Sequence, residues 1–462
     1  MKNSLIGDKA FYRRILIIAL PIILQNLVTN FVSMLDNVMV GQLSTAQISA
    51  VTIVNNNLLF ILNVCLFGGS AGAGIFTTQF HGSGDQDGVR YTVRFKMMIC
   101  LALVAVGSAV CLLWADPLVG LYLQGEGDAQ LRADTLYYGR QYLFIMLTGM
   151  VPFAVTNTYA STLRETGKPM VPMLAGIVAM GVNLVGNYIL IFGHFGAPAL
   201  GVAGAAIATV ASRYVEMVIV VAWTHGNPQK NPFVKGLYKS FRIPATLLRS
   251  ITVKGMPLLL NEAAYTVGMA FLNQCYSRCG LDVVPALSIS TTLYNLAAVV
   301  FRSLGNAVGI LMGQMMGAGK DKDEVYNENK KLLAFCLATG IASAALTGLL
   351  AQAFPMLFNT TDLVRKLARG LIIISAVAMP LQAYIFPVYF TLRAGGKTMI
   401  TFLFDSGAIW LLMLPIAFFG SRYTGLSIFV IYALCNGMDL IKCFVGYFFM
   451  RRKDWIQNLA VK

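Results

Sequence analysis

The sequence predicts an all-α integral membrane protein with twelve transmembrane helices in two six-helix lobes related by a parallel internal repeat. Three observations lead there. The 462 residues are 57% hydrophobic and only 12% charged, about half the charged fraction of a soluble domain. Apolar runs long enough to cross a ~30 Å hydrocarbon core as helices recur along the whole chain, and the ~10-residue alternating segments of a β-barrel are absent. Finally, the second half of the chain repeats the first.

Taken in order, the spans are expected at 15–40, 47–70, 92–114, 135–157, 170–193 and 198–223, then at 251–276, 284–306, 331–354, 367–390, 399–420 and 424–449. The first is too long, and too polar at its end, for a cleaved signal peptide, so it reads as a retained helix. Basic residues collect in alternate connections. Lys2, Lys9, Arg13 and Arg14 precede the first span, Arg90, Arg94 and Lys96 follow the second, and Lys230, Lys235, Lys239, Arg242, Arg249 and Lys254 follow the sixth. Lys320, Lys322, Lys330 and Lys331 follow the eighth, and Arg451, Arg452, Lys453 and Lys462 end the chain. The connection after the third span is acidic, with Asp116, Glu126, Asp128 and Asp134. Positive charge stays inside, which puts both termini in the cytoplasm. The net charge of +15 then reads as topology and contact with anionic membrane lipid, and nucleic acid is not an expected partner.

The repeat is carried by three pairs of segments. "ALPIILQN" (19–26) resembles "GMPLLLNE" (255–262), pairing Pro21 with Pro257. "GIFTTQFHGSGDQDGV" (74–89) resembles "GILMGQMMGAGKDKDEV" (309–325), pairing Gln79 with Gln314 and Gly82 with Gly317. "TLRETGKP" (162–169) resembles "TLRAGGKT" (391–398). The offsets are 236, 235 and 229 residues. Six spans per half give both repeats the same orientation in the membrane. The expected domains are an N-terminal lobe at 1–223, a basic cytoplasmic linker at 224–250 and a C-terminal lobe at 251–462. Two matched lobes suit alternating access.

Other energy sources and chemistries have no residues to carry them. No GxxxxGK[ST] phosphate loop occurs, and the three histidines, His81, His194 and His225, fall at loop positions. The eight cysteines sit mostly in apolar runs and read as buried free thiols without metal-site spacing. No nucleophile or acid–base pair suggests an enzyme, and no cofactor is expected.

Carboxylates inside a membrane are costly and mark function by default. Five fall within the spans: Asp36, Glu216, Glu262, Asp405 and Asp439. Asp36 ends a polar stripe of Gln25, Asn26, Thr29, Asn30, Ser33 and Asn37 on the first helix, a face expected to avoid lipid. It lies about 33 Å beyond Arg14, in the outer part of the span, at ~1.5 Å per residue. Its two readings are an ion-binding group and a solvated interfacial aspartate. Glu262, about 12 Å beyond Lys254, lies nearer the membrane interior with Asn261, Tyr265, Thr266 and Asn273, and suits a proton carrier or an anchor for a cationic substrate. Arg213 with Glu216, and Lys442 with Asp439, are spaced for structural ion pairs on one helix face. Asp405 reads as a structural or gating contact. The 22 Met and 28 Phe can supply an adaptable apolar substrate surface.

"LDNVMVGQ" after a proline-bearing first helix, "GSG" after the second span, "TLRETGKP" after the fourth and "NLVGNYILIFG…GVAGAAIATV" (183–210) together resemble the multidrug and toxic compound extrusion (MATE) transporters, over essentially the whole chain. The resemblance implies an antiporter that exports small organic cations or amphipathic compounds, drugs and dyes among them, in exchange for Na⁺ or H⁺. It places the coupling ion at Asp36, with Asn157, Asn183, Asn187 and Thr209 as companions. Asn187 departs from relatives that carry a second aspartate there, so a lone carboxylate with amide and hydroxyl oxygens holds Na⁺ or a proton. In the sodium-coupled members the seventh-helix glutamate comes about a turn later, where this chain has Tyr265. Their tenth-helix aspartate has no counterpart, and Gln382 lies near its place. The resemblance further implies a monomer in the plasma membrane, the inner membrane in bacteria. The alternative is a lipid-linked saccharide flippase of the wider superfamily, which calls for a cationic cavity; the embedded basic residues are few, mainly Arg213 and Arg302.

Overall fold

The computed structural model describes residues 5–123 and 129–460. Lys2, Glu126, Asp128 and Lys462 lie outside them. Among the described residues, ten helices are each long and apolar enough to cross a membrane. They are α1 (Lys9–Val40), α2 (Thr45–Ser83), α3 (Gln86–Leu113), α5 (Met170–Phe192), α6 (Val202–Gly226), α8 (Val283–Gly317), α9 (Lys322–Leu350), α10 (Asp362–Ala394), α11 (Thr398–Tyr423) and α12 (Ile428–Arg452). An eleventh, α4, is the pair Ala129–Thr148 and Met150–Glu165, bent by 44°. The twelfth, α7 (Ala245–Ser277), falls short of their hydropathy because Lys254, Asn261, Glu262, Tyr265 and Thr266 interrupt its apolar run. Among the described residues, helices therefore stand at all twelve expected spans, eleven of them apolar enough to cross a membrane when the bent pair counts as one. Large apolar side chains such as Val377, Leu411 and Phe444 are about three-quarters exposed, as a lipid-facing surface requires.

Local chemistry sets the ends. Asp8 accepts from the backbone N–H of Phe11 at 2.7 Å, which starts α1 ahead of its apolar run. Ser44, Asp321 and Thr361 cap α2, α9 and α10 in the same manner, satisfying amides that have no partner within the helix.

Contacts divide the chain into two compact units: one holds 1–23, 78–85 and 252–462, the other 24–77 and 86–251. The packed units thus differ from the expected halves at the start of α1 and at the end of α2. In the first unit, Phe11, Ile15, Ile18, Ala19 and Ile22 join Leu304, Val308, Leu311 and Met315 of α8 in one apolar core. In the second, the basic linker is folded rather than free. Arg94 of α3 donates to the carbonyls of Leu237 and Gly236, each at 2.8 Å, and of Arg242 at 3.2 Å. Arg90 donates to the carbonyl of Phe233 at 3.2 Å.

At the end of α2 the two members of the second repeat pair meet. A Cβ on Gly82 would stand 2.0 Å from the carbonyl oxygen of Gln314, and one on Gly317 would stand 1.9 Å from that of Gln79. The two repeat mates therefore cross backbone to backbone, each glycine under the other's glutamine carbonyl. Only hydrogen fits at either position. Past the crossing, both segments turn in the same way: Gly84 and Gly319 take φ of 78° and 67°, and Asp85 and Lys320 donate back to the carbonyls of Phe80 and Met315. The Gln79 side chain then holds the C-terminal segment, donating to the carbonyls of Ala394 at 2.8 Å and Gln457 at 3.1 Å and accepting from the amide of Leu459.

Gly82→Val and Gly317→Val are each expected to lower thermal stability, by about 1–3 kcal/mol for overpacking of this kind, read as earlier aggregation of the detergent-solubilised protein on heating. Gly348→Ala, in α9 with nothing within 4 Å of the added Cβ, is the control and should leave the melting point unchanged or higher.

Candidate functional site

The second half of α1 lies in the second unit, and its polar stripe meets α5. Gln25 donates to the carbonyl of Pro172 at 3.4 Å, and Asp36, three turns on, reaches Asn187. The remainder of the stripe, at Asn26, Asn30, Ser33 and Asn37, is exposed. Only Gln25 and Asp36 are thus turned from the surface, both half-buried.

Asn183 and Asn187, four residues apart, share one face of α5 and are 6% and 2% exposed. Asn187 donates through Nδ2 to Asp36 Oδ1 at 2.7 Å. The Asn183 amide, with its nitrogen toward the carboxylate, donates to both Asp36 oxygens at 2.9 and 3.1 Å, and its oxygen accepts from the Thr209 hydroxyl at 3.1 Å. With Asp36 ionised, the opposite orientation, in which Asn183 Nδ2 donates to the Thr209 hydroxyl at 3.1 Å, would set the Asn183 oxygen against the carboxylate. Thr209 reaches this position because α5 and α6 pack unusually close. A Cβ on Gly204 would lie 2.4 Å from the Leu190 carbonyl oxygen, and one on Gly186 would lie 2.9 Å from Ala208 Cβ. Small residues permit such approach, and they account for the "NLVGNYIL…GVAGAAIATV" pattern.

Asn187 Oδ1 is buried with no hydrogen-bond partner among the described residues. A buried carbonyl oxygen left over beside a carboxylate is an acceptor awaiting a cation or a donor. The Asp36 carboxylate and the Asn187 amide oxygen are hard oxygen donors with a single full negative charge between them. No ion pair involves Asp36 among the described residues. Asn157 is not drawn in: it is buried and donates to Ser70 Oγ at 3.4 Å. One residue outside the expected set, Tyr142, acts on Asp36, and a second, Asn55, holds it. Asn55, in a π-helical turn of α2, donates to the Tyr142 hydroxyl at 2.9 Å, and that tyrosine lies within electrostatic reach of Asp36.

The other acids are each near a cation. Glu216 lies within reach of Arg164 and Arg213, but the expected direct Arg213–Glu216 pair does not form. The Arg213 guanidinium turns instead to the bend in α4, where it donates to the Gly149 carbonyl at 3.4 Å and the Met150 sulfur at 3.2 Å and lies over the Phe153 ring at 4.9 Å. The Gly149 carbonyl, which also accepts from the Phe153 backbone N–H at 3.2 Å, takes the guanidinium in place of the carboxylate. Asp439 and Lys442 do pair, at 3.3 Å. Glu262 is half-buried and feels Arg393 and Asp405. Tyr265 lies within electrostatic reach of Asp405 and Arg302, whereas Asn273 is exposed.

Asp405 has a more elaborate setting than its expected contact role. Asn261 Nδ2 donates to its carboxylate at 3.0 Å and to the Tyr389 hydroxyl at 3.3 Å, while Asn261 Oδ1 accepts from the Ser406 hydroxyl at 2.6 Å. Here α11 opens into two π-helical turns, Leu403–Gly407 and Ile409–Met413, a distortion that tends to mark functional segments. A further pair was invisible in the sequence. Lys96, counted above as a cytoplasmic topology charge, is 0% exposed. It is ion-paired to Glu165 of the "TLRETGKP" segment and donates to Ser161 Oγ at 3.2 Å. Among the described residues, no three His, Cys, Asp or Glu side chains converge as metal ligands.

Comparison with known proteins agrees with this architecture. The sequence profile of the MatE family matches twice, over residues 21–189 and 257–419, two copies that begin at the repeat prolines. The chain is 25% identical to the uncharacterized transporter YisQ of Bacillus subtilis over 449 residues, covering 95% of this chain and 94% of that one. It is 25% identical to the multidrug resistance protein PmpM of Pseudomonas aeruginosa over 414 residues, covering 89% and 84%. A crystal structure of a MATE protein in complex with MaL6 superposes with a TM-score of 0.85 at 18% identity, over 97% of both chains. A twice-matched family profile over most of the chain, in the order and spacing of its own internal repeat, makes this an integral membrane protein of the MatE family of transporters.

Proposed function

We propose that this protein is a secondary antiporter that exports small organic cations and amphipathic compounds, drugs and dyes among them, in exchange for one H⁺ or Na⁺ taken at Asp36. One observation carries the reading. Of the five acids inside the spans, Asp36 is the one with no cation partner among the described residues; its charge is met by two amides, beside an amide oxygen with no hydrogen-bond partner among those residues. Such a group gains or loses an ion without breaking a salt bridge. Glu262 serves the organic cation or a proton, with Tyr265 beside it. The halves 1–223 and 251–462 act as lobes in alternating access, joined by 224–250, in a monomer surrounded by lipid in the plasma membrane, the bacterial inner membrane where the host is bacterial. Both termini face the cytoplasm.

The flippase alternative requires cationic groups free to hold a pyrophosphate. Arg94 and Lys96 are buried but committed to carbonyls and to Glu165. Arg213 and Arg302 lie over aromatic rings. These commitments weigh against it.

In cells lacking their own efflux pumps, Asp36→Asn is expected to abolish gradient-driven ethidium efflux at normal protein level. Asn187→Ala should reduce it by about tenfold, the usual cost of removing a group that orients a binding carboxylate. Ethidium efflux in Asp36→Asn that equals wild type and still responds to an imposed Na⁺ or H⁺ gradient would remove Asp36 from coupling. For topology, a green fluorescent protein fused after Lys462 should fluoresce and an alkaline phosphatase fused there should be inactive; the reverse would place the C-terminus outside.

A further inference from the structure

The acids of the first unit stand in a different electrostatic setting from Asp36. Asp439 and Lys442 lie one turn apart on α12, with side chains 3% and 11% exposed, at 3.3 Å. The second oxygen of Asp439 accepts from Gln382 Nε2 at 3.1 Å, and the Gln382 carbonyl accepts from the Tyr294 hydroxyl. Asp405, fixed by Asn261 at 3.0 Å, lies within electrostatic reach of both Lys442 and Arg302. Arg302 in turn is held over the rings of Tyr294 and Phe386, at 5.8 and 5.4 Å. Glu262 is faced by Arg393. Three acids on α7, α11 and α12 are therefore accompanied by three cations on α8, α10 and α12.

We propose that the Lys442 ammonium is a tethered cation that permanently occupies the Asp405–Asp439 site, so that this pair of carboxylates takes no exchangeable Na⁺ or H⁺. The inference rests on the reading of Asp36 as the coupling carboxylate. A lysine ammonium is a compact point charge with three donors on a flexible stem. It can satisfy one carboxylate directly and act on a second from the same position. Its tether removes the entropy loss that a free ion meets on binding, so a mobile cation of like charge is excluded rather than outcompeted. The amide that donates to Asp439, Gln382, adds no charge of its own. With Arg302 also within reach of Asp405, two cations stand against the two carboxylates, and the site is charge-balanced without Na⁺ or H⁺. A buried ion pair that loses one member leaves an uncompensated charge. Removing Lys442 should accordingly create a demand for a mobile cation where none exists in the natural chain.

The test is equilibrium ²²Na⁺ binding to the purified full chain in lipid nanodiscs at alkaline pH, where protons do not compete. Asp36→Asn should bind no saturable Na⁺. Asp36→Asn/Lys442→Gln should gain one saturable Na⁺ site per chain. That gained site should vanish when Asp439→Asn is added, and Asp36→Asn/Lys442→Arg should not create it. A saturable site in Asp36→Asn with Lys442 intact, lost on Asp439→Asn or Asp405→Asn, would overturn the proposal. So would a folded Asp36→Asn/Lys442→Gln protein that binds none. If Lys442→Gln fails to fold, binding to Asp36→Asn decides: the absence of a site lost on Asp439→Asn or Asp405→Asn supports the proposal, and the presence of one contradicts it. Failure of the underlying reading looks different, as ethidium efflux that survives Asp36→Asn.

Discussion

The organising constraint is the cost of an uncompensated charge in hydrocarbon. A carboxylate in a span must find a cation, a set of hydrogen-bond donors, or water. The five span acids meet this requirement in two ways, and the difference separates structure from candidate mechanism. Glu216, Glu262, Asp405 and Asp439 each have a cation in contact or within electrostatic reach. Asp36 has only amides among the described residues. An ion pair holds its charge in place; an amide-bound carboxylate with a spare oxygen beside it can exchange a proton or a small cation while its donors stay put.

The repeat supplies the frame that holds these groups. Where its two copies meet within the first unit, they do so at glycines, Gly82 under the Gln314 carbonyl and Gly317 under that of Gln79. The same two strands of sequence then turn with left-handed glycines at matched positions. Close packing through small residues is repeated between α5 and α6, where it sets Thr209 opposite Asn183. In both places the absence of a side chain does the positioning, which is why motifs without obvious chemistry recur in this chain.

Much of this was legible in the sequence. Apolar run length announced the spans, and the three paired segments announced the repeat, because both depend on features that are local or periodic. Asp36, Asn183, Asn187 and Thr209 were legible only through the family resemblance; their convergence depends on how α1, α5 and α6 pack. Asn157 belonged to the same expectation, but its amide is taken by Ser70. The Arg213–Glu216 spacing suggested a pair that the bend in α4 diverts, a tertiary effect on a local rule. Lys96 read as a solvated topology charge and is instead buried on Glu165, 69 residues away. Asp405 and Asn261 are 144 residues apart, and nothing along the chain joins them. Their meeting required the fold.

If Asp36 alone takes the coupling ion, exchange of one monovalent organic cation for one H⁺ or Na⁺ moves no net charge. The direct measurement is the equilibrium distribution of ethidium across proteoliposomes containing the full chain, at a fixed ion gradient, with the membrane potential clamped by potassium and valinomycin. The account predicts a distribution that follows the ion gradient one for one and does not move with the potential. A distribution that shifts with the potential, as exchange for two ions requires, would contradict it.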